Sequence, residues 1–147
     1  MNTASTAATL AERIASCIAR LDHRGLAGLY RPDAVLDANV PQWRYQLRGP
    51  AAILEQVTEE QAVRANVRVA WSRATPMEGG VVVETEVRFE EGGERRLWRD
   101  VHVVRTDGSA IAEHVVFCTG TWDAATIARQ AVEAPMVDRR PGAAGDG

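Results

Sequence analysis

Residues 95–123, RRLWRDVHVVRTDGSAIAEHVVFCTGTWD, form the segment on which the predicted architecture rests. Apolar and β-branched residues dominate both halves, and Asp107-Gly108 between them is typical of a tight turn, so the segment predicts a hairpin of two long strands. A buried polar group without a partner costs about 1–3 kcal/mol, so ionisable residues inside such a hairpin predict a polar cavity beside it. The residues in question are Asp100, His102, Glu113 and His114.

The hairpin register determines which of these residues share a face, because side chains alternate along a strand. A three-residue turn over 107–109 would place His102 opposite His114. Both would then lie on the face of Trp98, Val116 and Cys118. A two-residue turn would instead place His102 opposite Glu113 and direct His114 to the other side.

The composition predicts one soluble globular domain. The 147 residues are 46% hydrophobic and 25% charged, and the net charge is −3 with every one of the 17 bases an arginine. These arginines are scattered, so the chain has no basic field for nucleic acid or an anionic membrane. Cys17 and Cys118 lie far apart in apolar surroundings, which favours buried free thiols. The first residues lack a basic segment ahead of an apolar core, so a cytoplasmic protein is expected.

Hydrophobic periodicity predicts helices, then strands, in a single domain over residues 8–134, with a flexible start at 1–7 and a disordered tail at 135–147. Helices are expected over 8–21, 26–30, 51–65 and 124–134, the last capped by Asp123. His23 is expected in a solvated loop before the second helix. Strands are expected over 34–40, 43–48, 67–71, 81–89 and 95–105, followed by the second arm of the hairpin; the last four strands form a meander.

Three short sequences, in this order along the chain, resemble the NTF2-like superfamily, and more narrowly its SnoaL-like and ketosteroid-isomerase-like branch. They are L-Y-x-x-D-A-V at 29–35, R-G-P-A-A-I at 48–53, and A-E-H-V after the Asp107-Gly108 turn. The resemblance covers roughly residues 8–125. It implies an α+β cone: a curved, mostly antiparallel sheet wrapped around about three helices, with an apolar central pocket. It also implies a homodimer through the sheet, and it favours the three-residue turn because it places His114 in the pocket.

The resemblance further implies roles for particular residues. Steroid isomerases of the superfamily use a carboxylate base near the end of the first strand, where Asp37 lies within about one position. Their oxyanion pair needs a tyrosine on the first helix, which this chain lacks, so that activity is disfavoured. Polyketide cyclases use a histidine on the penultimate strand, which His102 matches. The Asp-Arg-Asp set of the epoxide hydrolases has no convincing match.

The predicted function is a cofactor-independent isomerase, cyclase or dehydratase that acts on an apolar, carbonyl-bearing small molecule of polyketide or steroid type. Asp37 and His102 are the expected base and acid, and His114 is a second proton carrier oriented by Asp100 or Glu113. This chemistry needs neither a metal nor another cofactor. The expected apolar walls are Trp43, Tyr45, Trp98, Val116 and Cys118.

Each assignment has a structural alternative. His102 and His114 could be core histidines satisfied by Asp100 and Glu113, and Asp37 could cap a turn. Two histidines and an acid on one hairpin also resemble a metal-ligand set, but a third fixed ligand is missing. The rival function is a non-catalytic small-molecule-binding or accessory dimer module. The directions of the two histidines separate these readings.

Overall fold

The computed structural model describes residues 8–137, so the predictions for 1–7 and for 138–147 lie outside the described residues. The chain contains four helices and six strands in the described part. The helices are α1 Leu10–Ala19, α2 His23–Ala27, α3 Pro50–Gln61 and α4 Ala124–Glu133. The strands are β1 Tyr30–Val40, β2 Trp43–Arg48, β3 Ala65–Met77, β4 Gly80–Glu91, β5 Glu94–Thr106 and β6 Ile111–Cys118.

The strands form one mixed sheet in the order β2-β1-β6-β5-β4-β3. Strands β3 to β6 are the predicted antiparallel meander, and the β1–β2 hairpin joins it through the parallel pairing of β1 with β6. Helices α1, α2 and α3 pack together, with α1 against β3 and β4 and α3 against β1 and β2. The expected α+β cone with a curved sheet around its helices is confirmed.

Local sequence signals explain where the helices begin. Thr9 and Glu12 form a capping box at the start of α1, and Asp123 accepts a hydrogen bond from the Thr126 amide at the start of α4, as predicted. Helix α3 begins with Pro50, which follows Gly49 at a φ of 85°. A left-handed residue is easiest for glycine, so this Gly-Pro pair sets the direction in which α3 leaves the sheet.

The predicted second helix over 26–30 is misplaced, because Tyr30 is the first residue of β1. The strand also contains Pro32, which cannot donate a ladder hydrogen bond. Its pairing with β6 is irregular between Tyr30 and Val35, and its pairing with β2 begins only at Val35. The proline therefore sits where no regular ladder bond is needed, and a strand can run through it.

The predicted register of the last hairpin is also wrong, but His102 and His114 still lie on one face of the sheet. His102 pairs with Val116, and His114 pairs with Val104. The Asp107 carboxylate accepts hydrogen bonds from the Ser109 amide and hydroxyl and from the Ala110 amide, so the loop is longer than three residues. The register moves by two positions, and an even shift keeps both histidines on one face.

Two groups of buried apolar residues flank the space inside the cone. The larger joins α1 and α2 to the sheet, and the smaller consists of Val87, Phe89 and Trp98. Within residues 8–137, no helix is long and apolar enough to cross a membrane.

Candidate functional site

A cavity of about 330 Å³ lies between the helices and the concave face of the sheet. Residues from α1, α2, α3 and every strand except β3 line it. Most of them are aliphatic or aromatic, so the few polar side chains that enter the cavity define where chemistry is possible.

Those polar side chains form a connected row. The Tyr30 hydroxyl lies 2.5 Å from His114 Nδ1, and His114 Nε2 lies 2.9 Å from His102 Nδ1. His102 Nε2 lies 3.7 Å from Asp100 Oδ2, which accepts a hydrogen bond of 2.6 Å from the Trp98 indole N–H. The row thus connects the buried Tyr30 with a carboxylate that lines the cavity.

The groups at the two ends of the row determine which ring nitrogen of each histidine carries the proton. An ionised Asp100 can only accept, so the His102 nitrogen that faces it carries the proton. His102 Nδ1 is then an acceptor for His114 Nε2–H, and His114 Nδ1 accepts from the Tyr30 hydroxyl. Both rings are neutral Nε2–H tautomers in this arrangement. His102 therefore presents an N–H donor next to a carboxylate acceptor.

Burial favours the neutral forms along this row. It lowers the pKa of His114 well below its ordinary value, and His102 adds to the shift. Burial also lowers the pKa of His102, against an opposing effect of Asp100. Burial raises the pKa of Tyr30 well above its usual range, so the hydroxyl keeps its proton. The row consequently orients His102 rather than carrying protons out of the cavity.

Strand register places the surrounding groups. Thr85, Asp100 and Cys118 are direct neighbours across β4, β5 and β6, and all three line the cavity. Burial, followed by the nearby Asp100, raises the pKa of the Cys118 thiol to about 12, so it is an uncharged wall group. Tyr45 donates to Glu60 over 3.3 Å.

The predicted position of Asp37 in the cavity is wrong. Its neighbours Leu36 and Ala38 line the cavity, so alternation along β1 turns Asp37 to the opposite face. There it forms an ion pair with Arg44 and accepts from Gln46, and these hydrogen bonds lower the pKa of its carboxyl to about 2. A fully ionised carboxylate outside the cavity cannot act as its base.

Some of the other predicted site residues line the cavity and others do not. Tyr45, Trp98, Val116 and Cys118 line the cavity, as do His102, His114 and Asp100. Trp43 does not, because it sits at the turn end of the β1–β2 hairpin and is 70% exposed. Glu113 pairs with Arg105 over 3.0 Å and does not orient His114. The carboxylate that lies near a histidine of the row is Asp100, 3.7 Å from His102 Nε2.

Several cavity residues escaped the sequence analysis: Tyr30, His23, Glu60, Arg64 and Thr85. Tyr30 belongs to the sequence L-Y-x-x-D-A-V, which could have drawn attention to it. His23, expected in a solvated loop, is the first residue of α2, and burial lowers its pKa. Its capping neighbour Asp22 was the available signal. Thr85 and Arg64 carry no local signal.

A metal centre finds no support in the arrangement of side chains. Across residues 8–137, no group of three or more histidine, cysteine, aspartate or glutamate side chains is placed to hold a metal ion. The hydrogen bond between the two histidines of the row occupies one nitrogen of each ring, and the Tyr30 hydroxyl occupies the second nitrogen of His114.

Solved structures with this fold are numerous but distant in sequence. A ketosteroid-isomerase-like protein from Catenulispora acidiphila, crystallised with trimethylamine, is 15% identical, with a TM-score of 0.61 over 88% of this chain and 97% of that one. A candidate SnoaL-like polyketide cyclase from Shewanella putrefaciens is 16% identical, with a TM-score of 0.59 over 82% and 92%. An LEH-like epoxide hydrolase from M. tuberculosis is 14% identical, with a TM-score of 0.53 over 74% and 79%.

At these identities the structural likeness concerns the fold alone, and no curated protein matches the sequence. The sequence pattern of the SnoaL-like domain family, however, matches residues 11–114, from α1 to the buried histidine of β6. This range covers most of the chain and includes Tyr30, Asp100, His102 and His114, the residues of the row. The resemblance inferred from the sequence is confirmed, and the chain belongs to the SnoaL-like domain family, within the NTF2-like proteins.

Proposed function

We propose that this protein is a cofactor-independent acid–base enzyme, an isomerase, cyclase or dehydratase, that acts on an apolar carbonyl compound in the cavity. The observation that carries the proposal is the pair of Asp100 and His102. A carboxylate acceptor and an N–H donor lie 3.7 Å apart in a mostly apolar cavity, and this separation is longer than a hydrogen bond, so both groups can contact a substrate.

In the proposed reaction, Asp100 removes a proton from the carbon next to the substrate carbonyl. The electrons of the broken C–H bond move onto the carbonyl oxygen, and the His102 Nε2–H hydrogen-bonds the enolate that forms. Asp100 then returns the proton to another carbon, to the alkoxide that forms when the enolate attacks a second carbonyl, or to a β-hydroxyl that leaves as water. His114 and Tyr30 hold His102 in the tautomer that donates.

The shape and lining of the cavity favour a compact apolar substrate. Its volume of about 330 Å³ is at the lower end of small-molecule sites. Leu36, Val116 and the Trp98 ring supply apolar surface on three strands. A polyketide-like or steroid-like carbonyl compound is compatible with such walls, and the Shewanella relative is described as a candidate polyketide cyclase.

The proposal can be tested before the natural substrate is known. Enolate formation exchanges the α-protons of a ketone with solvent, so a panel of apolar ketones in D2O, followed by NMR, reports the step. We expect His102→Gln and Asp100→Asn to lose at least about 100-fold of the exchange rate, the usual contribution of a positioned acid or base. Asp37→Asn is the matched control, since Asp37 lies on the other face. Unchanged exchange in both cavity variants would refute the mechanism.

The second candidate function is a non-catalytic small-molecule-binding or accessory module. The observation in its favour is that Tyr30, His114 and His102 satisfy one another, as a purely structural polar core would. The same experiment separates the two. Binding of a ketone without enzyme-dependent exchange in any member of the panel favours the binding module.

We also propose that the chain is a homodimer through the outer face of the sheet. Phe117 and Val101 pair across β5 and β6 on that face and are 55% and 37% exposed. Adjacent exposed apolar side chains in the middle of a sheet mark a candidate protein interface. We propose in addition that the protein is cytoplasmic and that its partners include neither nucleic acid nor a membrane.

A further inference from the structure

Arg64 is the least explained charged residue of the cavity. It follows α3 and precedes β3, and its side chain turns into the cavity. The guanidinium carbon lies 4.7 Å from the centre of the Trp98 ring and 5.0 Å from the centre of the Phe89 ring. Two aromatic faces therefore hold the planar group in place.

This guanidinium has no anionic partner among residues 8–137. Its Nε atom is inaccessible to solvent and has no hydrogen-bond partner, and no described carboxylate lies within ion-pair distance. Glu60, four residues earlier, also enters the cavity, but it accepts hydrogen bonds from Tyr45 and Gln56. Partly burying a cation without an anionic partner costs free energy, and an anion bound in the cavity would offset that cost.

A second polar group of the cavity, the Thr85 hydroxyl, also lacks a hydrogen-bond partner among the described residues. Thr85 is 2% exposed. It pairs with Asp100 across β4 and β5, while Val87, two residues further along β4, pairs with the Trp98 that supports Arg64. Trp98 also donates its indole N–H to Asp100, so the ring that supports Arg64 is in direct contact with the proposed base.

We propose that the substrate is an apolar carboxylic acid whose carboxylate is bound by Arg64, with its reacting carbon near Asp100 and His102. The inference deepens the proposed function and rests on it. The guanidinium fork matches a carboxylate in shape and charge, and the rings of Trp98 and Phe89 keep it oriented. The Thr85 hydroxyl supplies a hydrogen bond to the body of the same molecule. Arg64 is thus a specificity-determining residue that fixes the substrate along the cavity.

The test compares two probes of nearly equal shape, 2-naphthoate and 2-naphthamide, titrated against the full chain by calorimetry and by quenching of tryptophan fluorescence. A carboxylate forms charge-assisted hydrogen bonds with a guanidinium that a neutral amide cannot match, so the wild type should bind the carboxylate at least about tenfold more tightly. Arg64→Gln should abolish this preference and leave the affinity for the amide unchanged. Arg68→Gln, which removes an exposed arginine outside the cavity, should keep it.

Arg64→Met is the second variant, because its apolar stem preserves the packing on Trp98 if the glutamine variant fails to fold. Equal affinities of the two probes for the wild type, or a preference that persists in the Arg64 variants, would overturn the inference while any ketone exchange remains valid. A carboxylate preference without ketone exchange would refute the acid–base function alone. Failure of the wild type to bind 2-naphthoate would likewise overturn the inference, whereas the acid–base function is judged by ketone exchange alone.

Discussion

His102 Nδ1 lies 2.9 Å from His114 Nε2, although the two residues are not opposite each other in the hairpin. His114 pairs with Val104 and His102 with Val116, so the histidines are diagonal neighbours on one face of the sheet. Diagonal positions are within reach of long side chains. The contact links the buried Tyr30 to a carboxylate in the cavity, and the chemistry proposed for this protein depends on it.

The tautomers inferred for the two histidines can be observed directly. We expect both rings to be neutral at pH 7 with the proton on Nε2, because Asp100 accepts at one end of the row and Tyr30 donates at the other. Nitrogen-15 NMR of the histidine rings distinguishes the two tautomers. A proton on Nδ1 of His102 would contradict the direction of donation assigned here.

Removal of the Tyr30 hydroxyl should destabilise the fold. Tyr30→Phe leaves His114 Nδ1 buried without a donor, and an unsatisfied buried acceptor costs about 1–3 kcal/mol. Urea denaturation measures this change in the free energy of unfolding. Tyr45→Phe is the control: its hydroxyl bond to Glu60 is longer, at 3.3 Å, and less buried, so it should cost less. A larger loss in the control would refute the assignment.

Stability should decline on mild acidification. The pKa values of His102 and His114 are lowered in the fold, so the unfolded chain binds more protons once the pH falls below the ordinary histidine value near 6.5. The free energy of unfolding should therefore be nearly constant between about pH 7 and 8 and fall below that range, by up to about 1.4 kcal/mol per pH unit for each histidine that stays neutral.

His114→Asn should reduce this slope between pH 6.5 and 5, and urea denaturation at several pH values measures it. The strongly shifted carboxylates Asp37 and Asp107, whose pKa values are about 2, contribute only at lower pH. The other histidine with a lowered pKa is His23 at the start of α2, which is only partly buried, so the control His23→Asn should reduce the slope less than His114→Asn does. An equally steep slope in His114→Asn would mean that the buried pair does not govern acid sensitivity.

The outer sheet face should control assembly. Phe117→Glu places a charge in the apolar pair with Val101, and a buried unpaired charge opposes association. Light scattering coupled to size exclusion should report a dimer for the wild type and a monomer for the variant. Trp43→Glu alters an exposed aromatic residue at the end of the edge hairpin and should stay dimeric. A monomeric wild type would refute the proposed interface.

The sequence by itself determined the elements whose signals are local. Alternating apolar residues and the Asp107-Gly108 turn predicted the hairpin, and the Asp123 cap predicted where α4 begins. The even spacing of Asp100 and His102 placed both on one strand face whatever their partners, because alternation depends only on the chain.

Only the tertiary structure decided which face of each strand meets the helices and which residues from distant segments meet in the cavity. Asp37 points away because β1 joins β6 with Leu36 and Ala38 turned inward, and periodicity alone cannot select between the two faces. Tyr30 reaches the cavity from the start of β1, a strand that continues through Pro32. Arg64 reaches it from the connection between α3 and β3. Such encounters depend on packing between distant segments, which leaves no pattern in any one stretch of sequence.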